Sequence, residues 1–379
     1  MTTFVPLPSW KTLAYALINN ACSSSSMDPW QERGGKIYKF SGSTWTIGAL
    51  VAKKMAKKNN RLVTIWFPDY FCNQSTFAAR SLGAHIKFYP IGDDLSPDWS
   101  ACNQMLQDSP CDLFIITHFF GADCWHEEAV EFCGKAAATL VEDAAHVLLP
   151  HGRIGTFGSY TLFSPHKLLP IPHVGLLLEH ENTIQGDMTK FAEHFDLKSP
   201  SSIGWTFARI AQKLMPEALN RLRNRSLPDF SWSPAYRHLV STPAPSMIGQ
   251  RMLAIECANL EGASANRKKN ARHWRRTLGK IPEYRCRPFF QVHQEGPAPY
   301  RFVLQYKNRS DAVEDYDRLR EFGCPVETWP DLASQVISRK EFYANANRFR
   351  ETLIFLPVHN GLNEESIDKF AHAISSYYS

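Results

Sequence analysis

The strongest constraint on the fold is a short apolar run, residues 138–141, that ends in two adjacent carboxylates, Glu142 and Asp143. Buried parallel strands have this pattern where they reach the open edge of a sheet, and ligands bind at that edge. A Glu-Asp pair also occurs as a helix N-cap or in a solvated turn. The run therefore predicts a strand whose last residues face either a site or solvent.

A lysine, Lys167, follows a second apolar stretch at residues 160–163. A lysine in a partly dry pocket loses its proton readily and can form a Schiff base with a carbonyl, although a single loop lysine is usually a surface charge. Pyridoxal phosphate (PLP) needs an aldehyde-trapping lysine and an acidic partner for its pyridinium nitrogen. The order and spacing of Asp143 and Lys167 favour this pair of roles.

Strand and helix patterns alternate through the first half of the chain. Strands are predicted at residues 37–40, 61–67, 86–90, 112–117, 139–141, 156–163 and 175–179, and helices at 45–57, 74–82 and 125–137. This alternation predicts an α/β fold, a mostly parallel sheet flanked by helices.

The second half predicts fewer strands. Helices are expected at residues 203–222, 247–278, 311–322 and 363–377, strands at 301–306 and 353–357, and a turn followed by a strand at 323–329. A chain of 379 residues is long enough for two domains. We therefore predict a large α/β domain with its N-terminal segment at residues 1–235 and a smaller C-terminal α+β domain at 236–379.

Two turns in the first half have the composition of ligand-binding turns. Residues 41–44 (Ser-Gly-Ser-Thr) precede a helix whose first backbone N–H groups could hold a phosphate, although a simple N-cap is the commoner use of such residues. Tyr70 and Phe71 follow a strand, where a flat cofactor ring could stack on an aromatic side chain. The alternative is that both rings belong to the core.

Composition narrows the classes of protein. The net charge of +5 is too small to indicate nucleic acid, and the nine cysteines are scattered without a Cys-x-x-Cys pair, as is usual in a reducing compartment. No signal peptide or membrane span is predicted. Nucleotide-hydrolysis loops, the dinucleotide fingerprint and His-Glu-x-x-His are absent, and no metal site is predicted. We expect a cytoplasmic protein that binds small molecules.

Together these pieces resemble the DegT-type sugar aminotransferases, which are fold-type I PLP enzymes. The turn at residues 41–44 looks like that family's phosphate turn, and residues 118–121 (His-Phe-Phe-Gly) look like its His-Leu-Tyr-Gly. Residues 142–146 (Glu-Asp-Ala-Ala-His) and 155–158 (Gly-Thr-Phe-Gly) match two further motifs, and residues 356–367 resemble its closing segment. The resemblance is spread over most of the chain.

The resemblance implies a role for each matching residue. Lys167 would be the Schiff-base lysine and proton carrier, Asp143 would hold the pyridinium proton, and His146 would contact the 3-hydroxyl of the ring. The remaining cofactor-binding residues implied are Gly42, Ser43 and Thr44 (phosphate, through backbone N–H), Ser164 (phosphate, through its hydroxyl), and Tyr70 or Phe71 (stacking on the ring). The family also implies a homodimer, an amino-acid donor and a carbonyl acceptor such as a keto or aldehyde sugar.

The sequence departs from the family on the substrate side. Ser164 precedes Lys167 by three positions instead of five, and the family's Gly-Glu-Gly-Gly is replaced at residues 170–175. A PLP lyase, another non-transaminating PLP enzyme or a non-catalytic relative are therefore alternatives. Ser164-x-x-Lys167 also matches penicillin-binding serine enzymes, but their Ser-Asp-Asn and Lys-Thr-Gly motifs do not occur.

Overall fold

A computed structural model describes residues 2–18, 28–59, 61–124, 126–181, 195, 198–225, 227–231, 242–279, 281–290 and 296–376. Its main feature is a seven-stranded sheet in the order β1-β7-β6-β5-β4-β2-β3. These strands are β1 (Lys36–Phe40), β2 (Thr64–Pro68), β3 (His85–Tyr89), β4 (Leu113–Thr117), β5 (Thr139–Ala144), β6 (Tyr160–Phe163) and β7 (Gly175–Glu179). Strands β3, β2, β4, β5 and β6 are parallel, whereas β7 runs antiparallel to both of its neighbours.

Helices cover this sheet and continue into the second half of the chain. The first six are α1 (Trp10–Ile18), α2 (Asp28–Gln31), α3 (Ser43–Lys57), α4 (Phe77–Ser81), α5 (Trp99–Asp108) and α6 (His126–Ala136). The others are α7 (Ile203–Leu214), α8 (Pro216–Arg225), α9 (Met247–Glu256), α10 (Leu260–Leu278), α11 (Arg309–Glu321), α12 (Ser334–Ile337), α13 (Ala344–Thr352) and α14 (Glu364–Ser375).

A second, smaller sheet follows in the order β10-β9-β8, with antiparallel pairs. Its strands are β8 (Cys286–Pro288), β9 (Phe302–Tyr306) and β10 (Leu353–Leu356). The predicted α/β architecture with a mostly parallel sheet and a second small sheet is confirmed. The domain boundary between residues 235 and 236 stays a prediction. Met252 and Leu253 follow this boundary in the chain, yet they pack in one core with Leu13 and Leu176, which precede it.

The central strands are apolar because both of their faces are covered. All five residues of β2, β4 and β7 are buried, which is the environment that such continuous apolar runs indicate. Strand β5 extends beyond its apolar run, through Glu142 and Asp143 to Ala144. The two carboxylates therefore belong to the strand itself and do not begin a turn.

Two predicted helices are each divided in the structure. The helix predicted at 203–222 breaks at Met215, because Pro216 starts α8 and cannot donate a backbone hydrogen bond within a longer helix. The helix predicted at 247–278 breaks at the 3-10 turn Cys257–Asn259. Here α9 packs against α1 while α10 packs against α14, so the two halves face different cores.

The strand part of the turn and strand predicted at 323–329 is wrong. Only Glu327 pairs there, in an isolated bridge to Phe355, and Pro325 and Pro330 lack the N–H groups that a longer ladder would need. Helix α5 and strand β8 were not predicted. Asp98 could have indicated the start of α5, because aspartate is a preferred N-cap residue. In the structure its side chain accepts a hydrogen bond from the Ala101 N–H group at 3.0 Å.

Candidate active site

Lys167 ends a short 3-10 turn, Pro165–Lys167, directly after β6. Its side chain is half-buried at the edge of the sheet where the parallel strands end. Burial raises the pKa of Asp143, Cys72 and Glu327, and the positive charge of Lys167 opposes this rise. Burial lowers the pKa of His146 and His166, and the charge of Lys167 lowers it further. These groups come from four separate parts of the chain and converge on the lysine.

Asp143 is buried at the end of β5, next to β4 and β6. Its Oδ1 atom accepts a hydrogen bond from the Ala145 N–H group at 2.9 Å, which orients the carboxylate. Burial raises the pKa of Asp143, and the charge of Lys167 opposes this effect. A cationic partner would therefore stabilise the ionised form of this carboxylate.

His146 is fixed on both sides. Its Nδ1 atom accepts a hydrogen bond from the Phe120 N–H group at 3.3 Å, and its ring stacks on Tyr300. Burial lowers the pKa of His146 well below the usual range, and the charges of Lys167 and Arg301 lower it further. The ring is therefore neutral near pH 7, and since Nδ1 accepts, the proton is on Nε2.

The neighbouring carboxylate has a structural role. Glu142 accepts hydrogen bonds from the N–H groups of Gly155, Phe157 and Gly158, each at 2.8 Å, and contacts His118 at 3.0 Å. Burial alone would raise the pKa of Glu142, but these partners lower it to about 2. Glu142 therefore holds the turn that contains the Gly-Thr-Phe-Gly motif.

The predicted phosphate-binding residues lie at the start of α3 and directly after β6. Ser43 and Thr44 begin α3, are buried, and follow the extended backbone of Gly42. The side-chain oxygen of Thr44 already accepts from the Ala78 N–H group at 3.3 Å. Ser164 is also buried, and within the described part of the chain its hydroxyl has no hydrogen-bond partner. A buried hydroxyl in this condition is expected where a ligand supplies the partner.

The backbones of Gly42 and Gly175 lie in direct contact. A Cβ atom on Gly175 would lie 2.8 Å from the Gly42 Cα atom, so a larger residue would push β7 away from this turn. The His166 ring lies beside Gly42 as well, and it is held by a 2.7 Å hydrogen bond between Nδ1 and the Val174 carbonyl. The turn predicted to bind phosphate is thus fixed against the lysine-bearing segment.

The prediction that Tyr70 or Phe71 stacks on a ligand is not supported. Tyr70 is fully buried and stacks on Trp329 at 4.4 Å between ring centroids, while Phe71 packs against Phe67. The turn after β2 thus places both rings in the hydrophobic core. Cys72, in the same turn, is half-buried. Burial raises the pKa of its thiol, and the charge of Lys167 opposes this rise.

Three further residues at the site were missed by the sequence reasoning. Tyr300 stacks on His146, and its hydroxyl is 3.3 Å from Arg301. The Arg301 guanidinium contacts Glu327 at 3.4 Å, and burial raises the pKa of Glu327 to about 7. These residues belong to no recognised motif. The only signal in the sequence is a Tyr-Arg pair directly before a strand.

The arrangement combines a lysine, a buried acid, a neutral histidine and the N-terminus of a helix at one edge of the sheet. Such a set can hold a planar phosphorylated ring between the acid and the lysine. Ser164 is wholly buried, which does not fit a serine nucleophile that must reach and attack the acyl carbon of an external substrate.

Comparisons with known proteins agree with this architecture. No protein-family model matches the sequence, and no curated protein matches it significantly. Among solved structures, the chain is similar to Helicobacter pylori PseC, an aminotransferase involved in the biosynthesis of pseudoaminic acid (TM-score 0.68, 15% identity, 99% of each chain covered). It is similar to the PMP form of Spr1654 from Streptococcus pneumoniae (TM-score 0.71, 13% identity, 99% and 98% covered).

A third similar structure is a DegT DnrJ EryC1 StrS aminotransferase from Brucella abortus, with a TM-score of 0.66 and 13% identity over 97% of this chain and 96% of that one. At this level of identity, similarity over nearly the whole chain establishes the fold and not the substrate. The chain therefore has the fold of the DegT-type sugar aminotransferases.

Proposed function

We propose that this protein is a PLP-dependent aminotransferase, which moves an amino group from an amino-acid donor to a keto or aldehyde sugar or a related metabolite. The observation that supports this proposal most directly is that Asp143 lies near the end of β5 while Lys167 follows β6, its parallel neighbour in the sheet. An acid and an amine at the ends of adjacent strands are what this cofactor requires. The similarity to sugar aminotransferases of the same fold supports the substrate class.

The residues present fit the cofactor. The unpartnered hydroxyl of Ser164 and the N-terminus of α3 can bind a phosphate group. Asp143, whose ionised form needs a cationic partner, can bind the protonated ring nitrogen. When bound, PLP supplies an aldehyde that captures amines and a ring that withdraws electrons from the adjacent carbon.

Each residue then has a defined task. Lys167 would hold the cofactor through Nζ and would carry the proton of the amino-transfer step on the same atom. Asp143 would keep the ring nitrogen protonated. His146 would donate from Nε2 to the ring oxygen, because its Nδ1 atom is already an acceptor. Gly42, Ser43 and Thr44 would bind the phosphate through backbone N–H groups.

The cofactor assignment is tested by the absorption spectrum of the purified protein and of the Lys167→Ala variant. We expect a visible band in the wild-type protein that is lost in the variant, because Lys167 makes the covalent link. Lys307→Ala, which removes an exposed lysine of the C-terminal region, is the matched control and should keep the band. A band of unchanged position and intensity in Lys167→Ala would refute the assignment.

The reaction class needs a separate measurement. We expect the wild-type protein to transfer labelled nitrogen from glutamate to a nucleotide-linked keto-sugar, and Lys167→Ala to lose this transfer. If the band is present but the labelled donor is only decarboxylated or eliminated, the protein is a PLP lyase and the aminotransferase proposal is wrong.

We propose further that the protein is a cytoplasmic homodimer. Large apolar side chains on α7 and α8, including Phe207, Leu214 and Leu222, are more than half exposed, and a second subunit could cover them. The cysteines of the described ranges form no disulfide, as is usual in a reducing compartment. None of the described helices has the length and apolarity to cross a membrane. Light scattering coupled to gel filtration would test the dimer, and a monomeric mass would exclude it.

A further inference from the structure

A group of potential metal ligands lies behind the candidate active site, where β4 ends and α6 begins. It consists of His118, Cys124 and His126, and one ligand atom from each lies within 4.8 Å of the other two. The Cys124 Sγ atom is 3.3 Å from Nδ1 of His118. Both histidines are buried and Cys124 is half-buried, so the group is shielded but not sealed from solvent.

Each histidine is oriented by a carboxylate on its other ring nitrogen. Nε2 of His118 is 3.0 Å from Oε2 of Glu142, and Nε2 of His126 contacts Oδ1 of Asp123. These contacts leave Nδ1 of each ring as the nitrogen that can bind an ion. Histidines that bind metals almost always have their second nitrogen held in this way, because the carboxylate fixes the tautomer and increases the basicity of the ligand.

We propose that His118, Cys124 and His126 bind a zinc ion. Two imidazole nitrogens and one thiolate form a donor set that zinc favours, and calcium or magnesium would need oxygen ligands instead. Tetrahedral zinc, with bonds of about 2.0 Å to nitrogen and about 2.3 Å to sulfur, places its ligand atoms roughly 3.3–3.6 Å apart. The distance between Sγ of Cys124 and Nδ1 of His118 already falls in this range.

Binding requires only local changes. Cys124 binds as the thiolate and its proton leaves to solvent, and water takes the fourth position. The ion joins the segment after β4 to the start of α6. The backbone N–H group of His118 donates to the carbonyl of Asp143 at 2.9 Å, so the same ion fixes the backbone that carries the candidate cofactor acid. The proposal concerns a structural ion and does not depend on the proposed reaction.

The experiment measures zinc in the purified full-length protein after treatment with a weak chelator and reconstitution with zinc salt. We expect one zinc per chain in the wild-type protein, and none above the buffer level in Cys124→Ser or His126→Asn. Cys257→Ser and His85→Asn are the matched controls and should keep the ion, because both residues lie outside the group. Asp123→Asn should bind zinc roughly tenfold more weakly, since it removes only an orienting carboxylate.

Replacement of zinc by cobalt gives a second readout, the visible absorption of the bound cobalt ion. This absorption does not depend on activity and lies at longer wavelengths than the cofactor bands. The strong visible bands of four-coordinate cobalt with a sulfur ligand are expected in the wild-type protein and should shift in Cys124→Ser. Folded wild-type protein that keeps no zinc would overturn the proposal. Equal zinc in Cys124→Ser and wild-type protein, or only the weak bands of six-coordinate cobalt, would overturn it as well.

Discussion

Tyr300 lies flat against His146, with ring centroids 4.2 Å apart and an interplanar angle of 3°. The stack fixes the plane of the imidazole whose Nε2 proton is proposed to contact the cofactor. We expect Tyr300→Ala to weaken PLP binding about fivefold, which corresponds to the roughly 1 kcal/mol of an aromatic pair. Titration of the apoprotein with PLP would measure this. Tyr300→Phe keeps the stack and should bind normally, whereas equal losses in both variants would assign the effect to the hydroxyl.

Ser164→Ala should have opposite effects on the two forms of the protein. Without cofactor, the buried hydroxyl of Ser164 has no partner among the described residues, so its removal should leave the free energy of unfolding unchanged or raise it. With cofactor, the variant lacks a hydrogen bond to a charged phosphate, and PLP should bind about tenfold to 100-fold more weakly. Thermal unfolding with and without PLP separates the two effects. A large loss of apoprotein stability would contradict a ligand-binding role.

Glu327 should make the protein less stable as pH rises. Its folded-state pKa is about 7, above the ordinary value of 4.5, because of burial. The folded state therefore binds a proton more tightly than the unfolded state, and the stabilisation present below pH 4.5 is lost as pH rises to about 7. Glu327→Gln removes this titration, so its stability relative to wild type should be greater at pH 8 than at pH 5, by up to about 3 kcal/mol. Urea unfolding at the two pH values would test it, and a constant difference would refute it.

The edge of the large sheet contains a buried ion pair between Lys53 and Glu179. Glu179 also accepts a hydrogen bond from Tyr38 at 2.9 Å. Lys53→Met should lower the free energy of unfolding by about 3–5 kcal/mol, because it leaves the carboxylate buried without its cation. The double variant Lys53→Met/Glu179→Leu should recover most of this loss. Denaturant unfolding of the three proteins would show it, and an equally unstable double variant would contradict the argument.

Much of the site could be read from the sequence because its main residues follow directly after local patterns. Asp143 and Lys167 each come after an apolar run that forms a strand. Such runs can be recognised in the sequence, because a buried strand consists of consecutive apolar residues. No metal site was predicted from Cys124 and His126, although they are only two positions apart, because His118 follows the previous strand and is brought to them only by the fold.

Local patterns alone determined the layered α/β architecture, the positions of the acid and the lysine, and the turn predicted to bind phosphate. The tertiary structure decided what each side chain of the turns contacts. Tyr70 has the chemistry for stacking on a ligand, yet it packs on Trp329. The fold also decided that the charge of Lys167 acts on Cys72 and on Glu327, which lie in distant parts of the chain. Such contacts depend on how distant segments share one core, and a side chain's neighbours across the fold are not encoded in the residues beside it along the chain.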